Sequence, residues 1–289
     1  YISYIKKYKN VISINDFISI HYSRKEFIPN SCVVTFDDGF ENNFLNAAPI
    51  LEKYNCPAVF YISTNIVGSS DFFWVDKLEI GFTNTKQKYM QLNEIFHLDK
   101  DQEANISKEF KTLYNKKFDL NYTNIRIYLL DQIKRFLKLV DRNTRNKIIK
   151  ELLDFLIQGN FDKKDLWGEY NTMSWDQIRF LSQHKLFEIG GHSSSHDILS
   201  KHNLSNLEKD IRGSIDKIKM ETGIFSGHYA YPEGQKEHYS DEVISTLKKL
   251  GVICCPSAIH GKTDFEDDLF HLKRIMVDFN NDNSISCLI

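Results

Sequence analysis

The sequence predicts an α/β fold built on a parallel sheet, and three observations carry this reading. Short apolar runs rich in β-branched and aromatic residues recur along the 289-residue chain, and Gly, Pro, Asn or Asp bounds them. Helical periodicity fills the intervals between runs, as strand–helix alternation requires. Two of the runs end directly in residues with chemistry to offer, where doubly wound sheets and (β/α) barrels alike bind their ligands.

The elements follow in order. Residues 31–36, SCVVTF, form the first expected strand and lead into Asp37-Asp38-Gly39. Residues 43–54 repeat apolar positions every three or four residues, as a helix packed on a sheet does. Residues 58–63, AVFYIS, read as a strand buried on both faces. The alternation then stops. From about 71 to 170 the chain is rich in Lys, Asn and Asp, with amphipathic patterns over 125–140 and 143–158. This stretch reads as a helical insertion on the ligand-binding side of the sheet, placed either to cover substrate or simply to pack. Its cluster of Lys134, Arg135, Lys138, Arg142, Arg145 and Lys147 reads as a solvated face rather than a membrane surface. Alternation resumes with a helix over 174–184, a strand over 186–190, a helix over 205–221, a strand over 227–231, a helix over 241–250, and strands over 252–255 and 272–279. Ser174, Ser205 and Ser240 stand where N-caps belong.

Composition excludes some partners. With 37 Lys and Arg against 39 Asp and Glu, the net charge of −2 gives no basic footprint for nucleic acid. No run of 18 apolar residues crosses a bilayer, so membrane association is not indicated. Five cysteines, with Cys254 and Cys255 adjacent and no C-x-x-C spacing, point to reduced, buried thiols rather than a disulfide framework or a cysteine zinc site. A cytoplasmic setting is favoured, although a leader removed before Tyr1 would leave the same sequence.

Two motifs carry chemistry. Asp37 and Asp38 place like charges side by side at a strand end, which raises the pKa of at least one carboxyl unless a cation is near. In GGHSSSH, His192 and His196 are four apart, so that the two imidazoles converge on one ion if the segment turns helically. Two imidazoles and one carboxylate suit Zn²⁺ or another divalent transition metal, with Asp38 as third ligand and Asp37 left as a base beside the ion. Each motif alone has a bland reading: Asp-Asp-Gly as a turn, the histidines as satisfied core residues.

Together, TFDDG and HSSSH resemble the first two motifs of the polysaccharide deacetylases, carbohydrate esterase family four, the NodB-homology group. APILEKYNCPAVFYIST, MSWDQIRFLSQHKLFEIGGH and HYAYPEG extend the resemblance over most of the chain. It implies a distorted, incomplete (β/α) barrel, one catalytic domain over 1–289 interrupted by the insertion at 71–170. It also implies Asp37 as general base, Asp38, His192 and His196 as metal ligands, and the Glu233 N–H as an oxyanion donor, with Tyr231 and Pro232 before it as substrate-binding residues. The implied reaction removes N-acetyl or O-acyl groups from a carbohydrate, an N-acetylated glycan or glycolipid. The same constellation also suits a silent binding relative, or a deacylase or deformylase of a non-polysaccharide substrate.

Three departures stand out. Ala230 replaces the arginine usual in the third motif, and Glu233 replaces its aromatic. Arg274, expected on a last strand returning beside the first, is the candidate to orient Asp37, with Leu272 and Met276 on the same inward face and Asp278 as its alternative partner. The late Leu-x-His motif is matched by Leu269 to His271, yet His271, like His228, reads as structural. Trp74, Asp76 and Trp175 are candidates to line a sugar site, since aromatic faces suit sugar rings.

Overall fold

The computed structural model describes residues 2–25, 28–69, 71–157, 170–264 and 266–277. The chain separates into two compact units, Tyr1–Asp71 with Gly168–Ile289, and Phe72–Trp167.

The first unit is a distorted, incomplete (β/α) barrel. Helices α1 (Ile2–Tyr8) and α2 (Ile14–Ser23) flank β1 (Asn10–Val11), which pairs in parallel with β2 (Ser31–Cys32). Ser13 caps α2 by accepting the Asp16 N–H. The expected strand over 31–36 is split at Val33: β3 (Val34–Phe36) leaves β1 and pairs with β4 (Ala58–Ile62), which in turn pairs with β7 (Phe187–Gly191). All these pairings are parallel, and the sheet order is β3-β4-β7. Every residue of β4 is buried, as its unbroken apolar run requires.

Beyond β7 the barrel continues through single bridges, Gly191 to Tyr229, His228 to Cys254 and His260 to Arg274. The expected strands over 227–231 and 252–255 therefore shrink to bridge residues. Pro232 and Pro256 follow them directly and cannot donate to a ladder. The strand expected over 272–279 is corrected too: Leu272 is buried, but Met276 is 74% exposed, so the two do not share an inward face. Asp278 and Phe279 lie outside the described residues.

The helix over 43–54 begins as a π-turn, Asn43–Ala47, and continues as α3 (Ala48–Lys53). Pro49 lacks the N–H that the preceding turn needs, which accounts for the widened start. Helix α9 (Trp175–Ser182) carries a full capping box on Ser174, and Ser240 caps α11 (Asp241–Lys249). For α10 (Leu204–Thr222) the cap is Asn203 rather than Ser205, because the Asn203 side chain already accepts the Asn206 N–H, two residues earlier than expected. Two clusters fill the unit. One gathers Val59, Tyr61, Tyr229, Tyr231, Leu247 and Cys255, and the other Leu51, Phe60, Ile62, Met173, Ile178 and Ile189.

The second unit holds α4 (Trp74–Asn84), α5 (Lys100–Asn105), α6 (Lys108–Tyr114), α7 (Thr123–Leu137) and α8 (Arg142–Ile157). It also holds an antiparallel pair, β5 (Tyr89–Gln91) and β6 (Lys117–Asp119), where only helix was expected. Its core is separate and includes Leu78, Phe82, Leu92, Phe96, Ile133 and Leu152. Among the described residues, no helix is long and apolar enough to cross a membrane, and Cys32, Cys56, Cys254 and Cys255 are free thiols.

Candidate metal and hydrolytic centre

The chain reverses direction immediately after β3, and the turn aims both aspartates. The Asp37 carbonyl accepts the Gly39 N–H at 3.0 Å, and Asp38 takes a left-handed φ of 75°. This conformation costs a non-glycine residue about 1–3 kcal/mol, a cost usually met where a side chain must point somewhere specific. Asp38 Oδ1 lies 3.1 Å from His196 Nε2 and 3.3 Å from His192 Nε2.

The two histidines reach this point through a loop, not the helical turn expected from their spacing. Ser193 and His196 have φ of 61° and 54°, and the rings sit with centroids 5.0 Å apart. β7 leads into this loop along a close approach: a Cβ on Gly191 would stand 2.4 Å from the Tyr229 ring. Tyr229 in turn accepts the Ser193 N–H on its hydroxyl at 2.6 Å. The Ser193 and Ser194 carbonyls accept the N–H groups of Thr64 and Asn65, and Asp210 on α10 accepts the Ser194 N–H at 3.0 Å. His192 is 1% exposed and its Nδ1 lies 2.9 Å from the Ala230 carbonyl. A carbonyl only accepts, so Nδ1 carries the proton and Nε2 presents a lone pair toward Asp38.

One atom each from Asp38, His192 and His196 lie within 4.8 Å of one another. Asp38 Oδ1 is buried with no hydrogen-bond partner although both imidazoles face it. Buried polar atoms are nearly always satisfied, so an acceptor facing two ring nitrogens in this way fits a cation between them. Burial pushes the Asp38 carboxyl up, but the facing imidazoles, His196 foremost, outweigh it and hold the carboxyl far below the usual range. Burial likewise opposes protonation of His196, and the negative charges of Asp38, Glu233 and Asp37 overcome it and raise its pKa. Such a site attracts positive charge strongly.

Asp37 has a different partner. Arg274 grips it with two parallel bonds, Nη1 to Oδ1 and Nη2 to Oδ2, both 2.8 Å. The guanidinium is fixed by the Ser257 carbonyl on Nε at 2.6 Å and by Thr35 Oγ1 on Nη1 at 3.2 Å. Burial raises the Asp37 pKa, yet Arg274, aided by His192, more than offsets this and leaves the carboxyl below its ordinary value. Asp37 is therefore ionised at neutral pH, held in one orientation.

The remaining candidates fall in different places. Glu233 has φ 61° in a turn closed by the Gly234 N–H on the Pro232 carbonyl at 2.7 Å. Tyr231 was expected to touch substrate. Instead it is fully buried, stacked on Tyr239 at 4.0 Å, with its hydroxyl donating to the Phe270 carbonyl at 3.1 Å. Pro232 is buried as well, so both are packing residues. In the second unit, Arg145 lies over the Trp74 ring at 5.3 Å, and Asp76 is buried. Trp175 packs on the first unit's core under Lys217. His271 meets Tyr239, and the buried His228 faces Glu188. Tyr229 and Asp210 escaped the sequence reading, though Asp210 left a trace: it is a carboxylate on the buried stripe of α10 between Leu207 and Ile211.

Comparison with known proteins bears on the family and the fold. The family model described as polysaccharide deacetylase matches residues 24–95 and 152–254. No curated protein matches the sequence. Among solved structures, the Streptococcus pyogenes deacetylase PplD, in complex with acetate, is similar with a TM-score of 0.58 at 13% identity, over 99% of this chain and 83% of that one. IcaB from Ammonifex degensii matches with a TM-score of 0.58 at 13% identity, over 99% and 85%. The BpsB deacetylase domain from Bordetella bronchiseptica matches with a TM-score of 0.53 at 15% identity, over 93% and 79%. At these identities the likeness is one of fold.

Proposed function

Because the chain belongs to the polysaccharide deacetylase family, we propose that it hydrolyses acyl groups from an N-acetylated carbohydrate with the help of one divalent cation, Zn²⁺ by its donor set. The observation that carries this reading is the convergence of Asp38, His192 and His196 beside a carboxylate that Arg274 holds ionised. Asp38 Oδ1 and the two Nε2 atoms would hold it, a mixed nitrogen and oxygen set that suits Zn²⁺. When bound, the cation supplies Lewis acidity toward the acyl carbonyl and toward water.

The chain's own residues do the rest. Asp37 accepts the proton of the attacking water, for which it must be ionised and correctly aimed, and Arg274 secures both conditions. The Glu233 N–H, in its left-handed turn, donates to the oxyanion as the carbonyl carbon becomes tetrahedral; the C–N bond then breaks, and the sugar amine leaves with the proton that Asp37 had taken from water. Ala230, at the position where an arginine is usual, leaves Asp37 without a local partner, and Arg274 fills that role from the far end of the barrel. The paired, ionised base favours a working enzyme over a silent binding relative. We further infer an insertion within the second unit, since the family match is interrupted between 95 and 152.

Two variants test the division of labour. Asp37→Asn keeps stoichiometric zinc at the first site and loses about 10²–10⁴-fold in turnover, whereas Asp38→Asn loses zinc affinity. Equal zinc loss in both would refute the assignment of the two carboxylates.

A further inference from the structure

Behind the loop that carries His192 and His196 lies a second group of metal-binding side chains that the proposed reaction does not use. Asp197 directly follows His196, His202 ends the short 3-10 turn Leu199–Lys201, and Asp210 stands on α10. One atom from each of the three lie within 4.8 Å of one another. His202 is the observation that points to a ligand. Its side chain is only 10% exposed, and its Nε2 is buried with no hydrogen-bond partner. That nitrogen faces Asp197 Oδ2 at 3.8 Å. The gap is too long for a hydrogen bond but close to the separation of about 3.4 Å between two ligands sharing a tetrahedral ion.

We propose that Asp197, His202 and Asp210 form a second divalent-cation site, suited to Zn²⁺, which braces the loop bearing the first. One imidazole and two carboxylates match zinc better than calcium, which seeks about six to eight oxygens. A cavity of about 610 Å³, lined by Ser200, His202, Asn203 and Ser240 among others, opens beside His202 and gives the ion a route from solvent. The link to the loop is direct. Asp210 accepts the Ser194 N–H at 3.0 Å, its carbonyl accepts the Ser194 hydroxyl at 2.8 Å, and Asp197 adjoins His196 in the chain. An ion drawing Asp197 and Asp210 together therefore fixes both ends of Ser194–His196. The assignment does not depend on the reaction proposed above. The competing account is an ion pair between protonated His202 and Asp197, which needs no metal.

Zinc content of the full chain, measured by mass spectrometry after equilibration and removal of free metal, separates the two. Wild type is expected to hold two zinc ions, and the triple variant Asp38→Asn, His192→Ala, His196→Ala one, with a single-imidazole signature in X-ray absorption. Adding His202→Gln removes that last ion. A folded triple variant with no zinc, or a remaining ion that survives His202→Gln, would overturn the proposal, whereas a wild-type content of one that persists in the triple variant would overturn the first site instead. Circular dichroism of each variant checks that it is folded before its zinc content is read.

Discussion

Arg274→Met removes the one guanidinium that grips Asp37 and leaves a side chain of similar length. Two hydrogen bonds of 2.8 Å disappear, together with a full opposing charge against the carboxylate. An arginine at this range lowers a carboxyl pKa by about 1–3 units, and Asp37 has a lowered pKa in spite of burial. With Arg274 gone, burial and Asp38 act unopposed apart from His192, so the pKa rises by at least the amount the arginine had removed. Asp37 works as a base only when ionised. The acidic limb of kcat/KM should therefore move to higher pH by about 1–3 units. Stability changes in the same sense. A carboxyl whose folded pKa is depressed contributes stability above the ordinary carboxylate range and loses it as pH falls through the folded value. Wild type should thus lose this contribution only in acid, whereas the variant lacks it at neutral pH as well. Removing one partner of such a pair costs about 3–5 kcal/mol when buried, and toward the lower end here, since the two side chains keep 18% and 29% exposure. The assay is a pH–rate profile with zinc content measured in parallel. An unshifted acidic limb in a folded, zinc-loaded variant would refute the reasoning and assign Arg274 to scaffolding.

Other predictions concern the support of the site. His196→Ala should lower zinc affinity at the first site by about tenfold or more, read by competition with a chromogenic chelator; unchanged affinity would mean that His196 is not a ligand. Tyr229→Phe leaves the Ser193 N–H without its acceptor and should cost about 1–3 kcal/mol in denaturant unfolding, with no loss taken as evidence that the bond is idle. Gly191→Ala would drive a methyl group to 2.4 Å from the Tyr229 ring, costing about 1–3 kcal/mol or more in thermal unfolding; a neutral result would show that Tyr229 moves freely.

Much of the fold was legible because its signals are local. The buried run of β4 and the periodicity of α9, α10 and α11 coincide with the elements formed, and Ser174 and Ser240 cap as their positions suggest. What the sequence hid depends on distant partners. The three-residue strands β5 and β6 are too short to show a period, and they exist because Tyr89–Gln91 finds Lys117–Asp119. Helix α2 carries a local signal as well, the cap formed by Ser13 on the Asp16 N–H. At the site, Asp37, Asp38, His192 and His196 were visible as compact motifs. Their supports were not: Tyr229 reaches Ser193 across 36 residues, and Arg274 reaches Asp37 across 237. Only the absence of an arginine at Ala230 hinted that a distant one was needed. Tyr231 misled because a motif tyrosine beside a turn reads as a surface residue, while stacking on Tyr239 draws it wholly inside.

Asp37 and the Asp38, His192 and His196 cluster are proposed to hydrolyse an acylated sugar. The most direct measurement is acetate release, matched against new free amines, from N-acetylglucosamine oligomers by metal-depleted protein before and after zinc is restored. The account predicts no release without metal, and equal amounts of acetate and amine once zinc is present. Folded, zinc-loaded protein that releases no acyl group from any acetylated sugar in a panel would contradict it. Release only from non-carbohydrate amides or formamides would keep the chemistry and overturn the substrate.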